Sequence, residues 1–148
     1  MNAQAHPPLD LLVVEDSELD YQLLVATLSL QGWPSRALRV DSLPALGAAL
    51  GAQDWDLVIS DHHLPGFSSA QVWEAVSALD RRPPCIIVSG TLGEDAAVAA
   101  MQRGVDDYLV KDRLARLGAA VRNALAAGVA RREQALAQVR AREYQQRL

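Results

Sequence analysis

Glu15-Asp16, Asp61, Ser89 and Lys111 each stand directly after a short apolar run, and these are the residue types that could do chemistry together. Carboxylates gathered in one place repel, and one of them takes a raised pKa unless a cation sits among them. A hard, oxygen-seeking ion answers that need, and Mg²⁺ with several retained waters suits a site with few protein ligands. A lysine and a serine hydroxyl add positive charge and a hydrogen bond, the parts that stabilise the equatorial oxygens of a phosphoryl group in transfer. A carboxylate can itself be the nucleophile, giving an aspartyl phosphate, and Asp61 is the best placed for it. Each residue alone has a plainer reading. Asp16 or Ser17 could cap a helix, Ser89 could be a turn residue, Lys111 a solvated lysine, and Tyr108 ordinary strand packing. Their position behind four different apolar runs is the argument for a joint site.

Those runs read as strands. Leu11–Val14, Leu57–Ser60 and Cys85–Val88 are short and mainly apolar, as in strands buried on both faces of a parallel sheet; Ser35–Val40 and Tyr108–Val110 are weaker candidates. Between them lie helical patterns. Leu19, Leu23, Val25, Ala26 and Leu30 recur at helical spacing before Gly32 and Pro34, and Leu43, Leu46 and Leu50 follow Asp41-Ser42. Ser68-Ser69-Ala70-Gln71 carries a capping-box pattern, Glu94–Arg103 is Ala-rich and closes at Gly104, and everything from Arg113 onward has helical composition. Strand and helix alternating five times predict an α/β fold, a doubly wound five-stranded parallel sheet with right-handed crossovers. In such sheets ligands bind at the carboxyl ends of the strands, so topology alone gathers the candidate residues at one edge.

Composition sets outer bounds. The 148 residues are 50% hydrophobic and 22% charged, enough for one packed domain with a modest extension. Cys85 is the single cysteine, which excludes an intrachain disulfide and favours a reducing compartment. The polar start of the chain lacks the basic and apolar regions of a signal peptide, and no apolar stretch approaches the ~20 residues of a membrane span. A cytoplasmic protein without membrane or nucleic-acid contacts is expected. Residues 1–110 carry 15 acids against 5 bases, whereas residues 111–148 carry 9 bases against 3 acids. That asymmetry suggests an acidic body and a basic tail: a disordered segment over 1–8, a domain over 9–127, and a helical extension over 128–148.

The phrases LLVVEDS, DLVISDHHLPGFS, CIIVSGT and DDYLVKD together resemble the receiver domain of bacterial two-component response regulators. The resemblance implies the strand order 2-1-3-4-5 and a regulatory rather than a turnover role. It implies that Asp61 is the phosphoacceptor, that Glu15 and Asp16 position Mg²⁺, and that the backbone carbonyl of His63 is a further ligand. Ser89 is similar to the switch hydroxyl, Lys111 to the phosphate-pairing lysine, and Tyr108 to the aromatic that changes rotamer on activation. Gly90 would keep the approach to the phosphoryl group open, with His63 and Thr91 lining it. Asp112 follows Lys111 where most members have a cis proline. The implied partners are a histidine kinase or phosphotransfer protein, and the phrasing is most similar to receivers fused ahead of sensory, kinase or cyclic-di-GMP domains.

Two other readings stay open at this stage. One is a receiver-like module that signals by dimerisation without phosphorylation. The other is a cobalamin-binding module, since Asp61-His62-His63-Leu64-Pro65-Gly66 matches D-x-H-x-x-G, though here it follows the third strand and no Gly-Gly pair occurs in the chain. In the tail, Leu125, Val129, Arg132, Leu136, Val139 and Glu143 fall at alternating steps of four and three, a partial coiled-coil seam. It predicts a homodimer through a parallel pair of C-terminal helices, with Gly128 as a hinge at the domain edge.

Overall fold

The computed structural model describes residues 7–91 and 93–147. The expected disordered segment therefore lies outside the described residues, apart from Pro7 and Pro8. The chain runs β1 (Leu9–Val14), α1 (Glu18–Leu30), β2 (Ser35–Val40), α2 (Leu43–Ala52) and β3 (Leu57–Asp61). A two-residue hairpin, β4 (His63–Leu64) and β5 (Phe67–Ser68), precedes α3 (Ser69–Ser77). Then come β6 (Cys85–Ser89), α4 (Glu94–Gln102), β7 (Asp107–Val110) and a 3₁₀ turn at Leu114–Arg116, before α5 (Leu117–Arg147).

The five long strands form one parallel sheet in the order β2-β1-β3-β6-β7, so the expected topology holds, with the hairpin as an addition. Its register sets Val14 beside Ser60, Asp61 beside Val88, and Ser89 beside Val110. The residues just past these positions therefore emerge together at the carboxyl edge. Strand side chains alternate between faces, and the two faces build two cores. Leu11, Val13, Ile59, Ile86 and Val88 pack with α1 and α5, while Leu12, Val14, Val58 and Ile87 pack with α2 and α3.

Ser17 caps α1, its Oγ accepting the Asp20 amide at 3.1 Å, and this cap sets the phase of the helix. Leu24 and Leu28 point inward with Tyr21 and Val25 beside them, whereas Leu19, Leu23 and Leu30 are exposed. Of the apolar face expected from Leu19, Leu23, Val25, Ala26 and Leu30, only Val25 packs inward and the rest is the outer side. Leucines occupy both sides of this helix, so hydrophobic spacing alone does not choose between them.

Helix α5 is anchored along its first half and then leaves the body. Leu117, Ala120, Val121 and Ala124 are buried, the Trp33 indole donates to the Gly118 carbonyl at 3.1 Å, and the Gln31 side chain accepts the Gly118 amide. The helix passes Gly128 without a break, and a Cβ there would stand 3.2 Å from the Pro84 ring. Arg131 reaches back to Asp106 at 3.1 Å, so contact with the body continues past residue 127. At ~1.5 Å per residue the 31-residue helix is about 46 Å long.

Candidate functional site

The site is built from the first residues beyond the strands. The Glu15 amide donates to the Val40 carbonyl at 3.0 Å and the His62 amide to the Val88 carbonyl at 3.0 Å, which extends the ladders of β1 and β3 by one step. Arg39 on β2 ties down the turn after β1, donating to the Glu15 carbonyl at 3.0 Å and pairing with Glu18 at 2.8 Å. Glu15 is buried, Asp61 half-buried and Asp16 exposed, and one carboxylate oxygen from each lies within 4.8 Å of the others. An all-oxygen trio that is open on one side fits a hard divalent ion that keeps part of its water.

Lys111, one residue beyond β7, leans over this trio. Its Nζ lies 2.8 Å from Glu15 Oε1, 3.0 Å from Asp61 Oδ2 and 2.8 Å from Asp20 Oδ2. Burial opposes its charge, but the hydrogen bonds to Asp20, Glu15 and Asp61 outweigh that and hold its pKa above the ordinary lysine value. Burial pushes the Glu15 carboxyl up, against the Lys111 bond and the Ser17 amide that donates to Glu15 Oε2 at 3.1 Å; the neighbouring Asp61 charge pushes it the same way as burial. A preformed acidic cleft with one cation held over it is a receptor for a further cation and an anion together.

Ser89 ends β6 fully buried. Its carbonyl accepts the Lys111 amide at 2.7 Å and its hydroxyl accepts the Thr91 amide at 3.3 Å. No cis peptide occurs among the described residues, so the Lys111–Asp112 bond is trans, and the Arg113 amide closes the turn onto the Val110 carbonyl at 2.9 Å. Open space surrounds the point where a Cβ on Gly90 would stand, and Thr91 and His63 are exposed at the rim. Tyr108 packs its ring against the second core, yet its hydroxyl is buried and has no hydrogen-bond partner among the described residues.

Sequence reasoning missed two members. Asp20 stands one turn before Leu24 on the inward stripe of α1, and that spacing was the available signal. His62 was passed over in favour of His63. It is the partly buried one of the pair, its Nδ1 2.8 Å from Ser69 Oγ and its ring edge-on to Tyr108 at 5.8 Å between centroids. Burial and the neighbouring His63 lower its pKa, against the pull of Asp61.

A parallel sheet that collects an acidic trio and a lysine at its carboxyl edge defines a flavodoxin-like α/β module with a small polar cleft at that edge. Residues 11–122 match the family model described as the response regulator receiver domain, and the chain belongs to that regulatory family. It is 34% identical over 105 residues to the response regulator protein FleR of Pseudomonas aeruginosa, covering 71% of this chain and 22% of FleR. It is 34% identical over 100 residues to the transcriptional regulatory protein PrrA of Mycobacterium tuberculosis, covering 68% of this chain and 42% of PrrA. The chain thus spans less than half the length of either relative. Among solved structures, the receiver domain of the sensor histidine kinase PA1611 from P. aeruginosa, with magnesium in its active-site cleft, superposes with a TM-score of 0.67. That likeness covers 81% of this chain and 99% of the other at 22% identity, and it shows the shared fold. No helix among the described residues is long and apolar enough to cross a membrane.

Proposed function

We propose that Asp61 accepts a phosphoryl group from a phosphohistidine on a histidine kinase or phosphotransfer protein. The observation that carries this reading is the cation of Lys111 held 3.0 Å from Asp61 within the acidic trio. Glu15, Asp16, Asp61 and the His63 backbone carbonyl would hold Mg²⁺, which would neutralise charge on the phosphoryl oxygens. An Asp61 carboxylate oxygen attacks phosphorus, the P–N bond breaks, and the imidazole of the donor leaves with the bonding pair. Lys111 follows the incoming oxygens with its ammonium group, and Ser89 offers its hydroxyl at the end of the neighbouring strand. Gly90 leaves room for the donor, and His63 and Thr91 line the path by which water later removes the phosphate. Leu19 and Leu23, exposed on α1 on either side of Asp20, give the donor an apolar surface next to the cleft.

The switch follows from the same atoms. If Ser89 turns its hydroxyl to the phosphoryl group, it gives up the Thr91 amide and the start of α4 shifts. The Tyr108 hydroxyl, without a partner among the described residues, costs on the order of 1–3 kcal/mol where it stands, which favours any state that gives it a partner. The reading places the chain in the cytoplasm, its state passed to an output domain of sensory, kinase or cyclic-di-GMP type or to a separate partner. Acetyl phosphate with Mg²⁺ should add one phosphoryl mass to the protein, and Asp61→Asn should take none. Equal labelling of that variant would reject the assignment.

A further inference from the structure

Lys111 is the single lysine of the chain, and an ammonium group has three protons to donate. Three carboxylate oxygens surround it, Glu15 Oε1 at 2.8 Å, Asp61 Oδ2 at 3.0 Å and Asp20 Oδ2 at 2.8 Å. The three partners are not alike. Glu15 and Asp61 belong to the trio whose oxygens converge, and their side chains are 7% and 10% exposed. Asp20 lies outside that trio, on the first turn of α1, with 43% of its side chain exposed. Its backbone is fixed, because the Asp20 amide donates to Ser17 Oγ at 3.1 Å in the helix cap. A cavity of about 50 Å³ between α1 and the sheet is lined in part by Asp20, Leu23, Leu24, Lys111 and Leu114, so the lysine stem has room on the α1 side.

One cleft must then serve two cations. A divalent ion among Glu15, Asp16 and Asp61 draws on oxygens that Lys111 bonds now, and like charges repel. A lysine bound to Glu15 and Asp61 alone would have to oppose the ion or swing out into water. Neither leaves its charge where the equatorial oxygens of a phosphoryl group arrive. Asp20 removes the conflict. Its carboxylate already holds Lys111 beside the cleft and, being outside the trio, keeps that bond when the other two oxygens are taken. With Asp20 included, four carboxylates stand against the three positive charges of a divalent ion and one ammonium.

We propose that Asp20 is a positioning residue for phosphoryl transfer, the carboxylate that keeps Lys111 at the cleft when Glu15 and Asp61 turn to the metal. The ammonium is then in place for the incoming phosphoryl oxygens. The inference rests on the reading of Asp61 as the phosphoacceptor. Asp20 acts through Lys111 and not through the helix cap, since the cap uses only its backbone amide, which Asp20→Asn retains.

With one lysine in the chain, isotope-labelled lysine gives one side-chain ammonium signal in NMR, that of Lys111. In the metal-free parent and in metal-free Asp20→Asn, Glu15 and Asp61 should hold that ammonium with its protons slow to exchange, which also shows that the variant is folded. On saturation with Mg²⁺ the parent should keep a held ammonium. The Asp20→Asn signal should instead move to the position and rapid exchange of a free lysine. Acetyl phosphate labelling at saturating Mg²⁺, read by intact mass, should be slower in Asp20→Asn by roughly tenfold or more. In a Lys111→Ala background the same substitution should change the rate by less than about twofold, because the group through which Asp20 acts is gone. A free-lysine signal in the Mg²⁺-loaded parent, a held one in the loaded variant, or an Asp20→Asn rate within about twofold of the parent would each overturn the proposal. If the parent takes no phosphoryl group at all, the Asp61 reading fails, and the ammonium signal still decides whether Asp20 holds Lys111.

Discussion

Asp106 offers the sharpest test of how the extension is tied to the domain. Its carboxylate, 6% exposed, receives Arg82 Nη1 at 3.0 Å, Arg131 Nη1 at 3.1 Å and the Cys85 amide at 2.8 Å. Arg82 also lies over the Trp73 ring at 4.7 Å, and Arg131 comes from α5 beyond Gly128. Asp106→Asn removes the charge that both guanidinium groups face, yet keeps an acceptor for the Cys85 amide. Breaking a fully buried pair costs roughly 3–5 kcal/mol. Here the arginine side chains are 17% and 39% exposed and recover part of their hydration, so about 2–3 kcal/mol is expected. For a domain of this size that lowers Tm by roughly 4–12 °C. Arg131→Met should cost about 1 kcal/mol or less, since its partner keeps Arg82. It should nonetheless speed amide exchange over residues 128–135, where α5 loses its tether. Urea unfolding gives the first quantity and hydrogen exchange the second. An Asp106→Asn variant within about 0.5 kcal/mol of the parent would refute the reasoning, because that is the range of an ordinary surface change. So would unchanged exchange over 128–135 in Arg131→Met.

Two further outcomes follow from burial. The His62 pKa is lowered in the folded chain, so the unfolded chain takes up that proton first, and metal-free stability should fall as pH drops below about 6.5; urea midpoints at pH 7 and pH 5.5 should show this component in the parent and lack it in His62→Gln, and an identical pH dependence in both would remove His62 from the account. Burial, with Asp106 nearby and against Arg82, pushes the Cys85 thiol up to about 12, so it should resist iodoacetamide at pH 8 in the native state and react at once in urea; rapid native alkylation would show that β6 opens.

What was legible in the sequence was whatever the sheet imposes. Buried strands read as unbroken apolar runs, and the residue after each run is placed by register, which is why Glu15, Asp61, Ser89 and Lys111 could be assembled before any coordinates existed. What was not legible depended on helix phase and on packing between loops. Leucines cover both sides of α1, so the choice of inward face rests on where Ser17 starts the helix. The same phase turns Asp20 toward Lys111, so one misjudged face hid one site residue. His62 and His63 differ by a single step along the chain, and only the contacts with Ser69 and Tyr108 separate the packed ring from the exposed one.

The tail shows the opposite case, in which the sequence carries more than its hydrophobic period reveals. A seam of alternating fours and threes specifies that a helix pairs and leaves direction open. Its charges are mostly basic, Arg131, Arg132 and Glu133 near the body and Arg140, Arg142 and Glu143 farther out. The structure adds the fixed end, with Pro84 against Gly128 and Asp106 holding Arg131, so the charges are presented at one angle to the body. A helix hinged at Gly128 would blur that presentation, and the buried glycine and the arginine tether three residues later both act against a hinge.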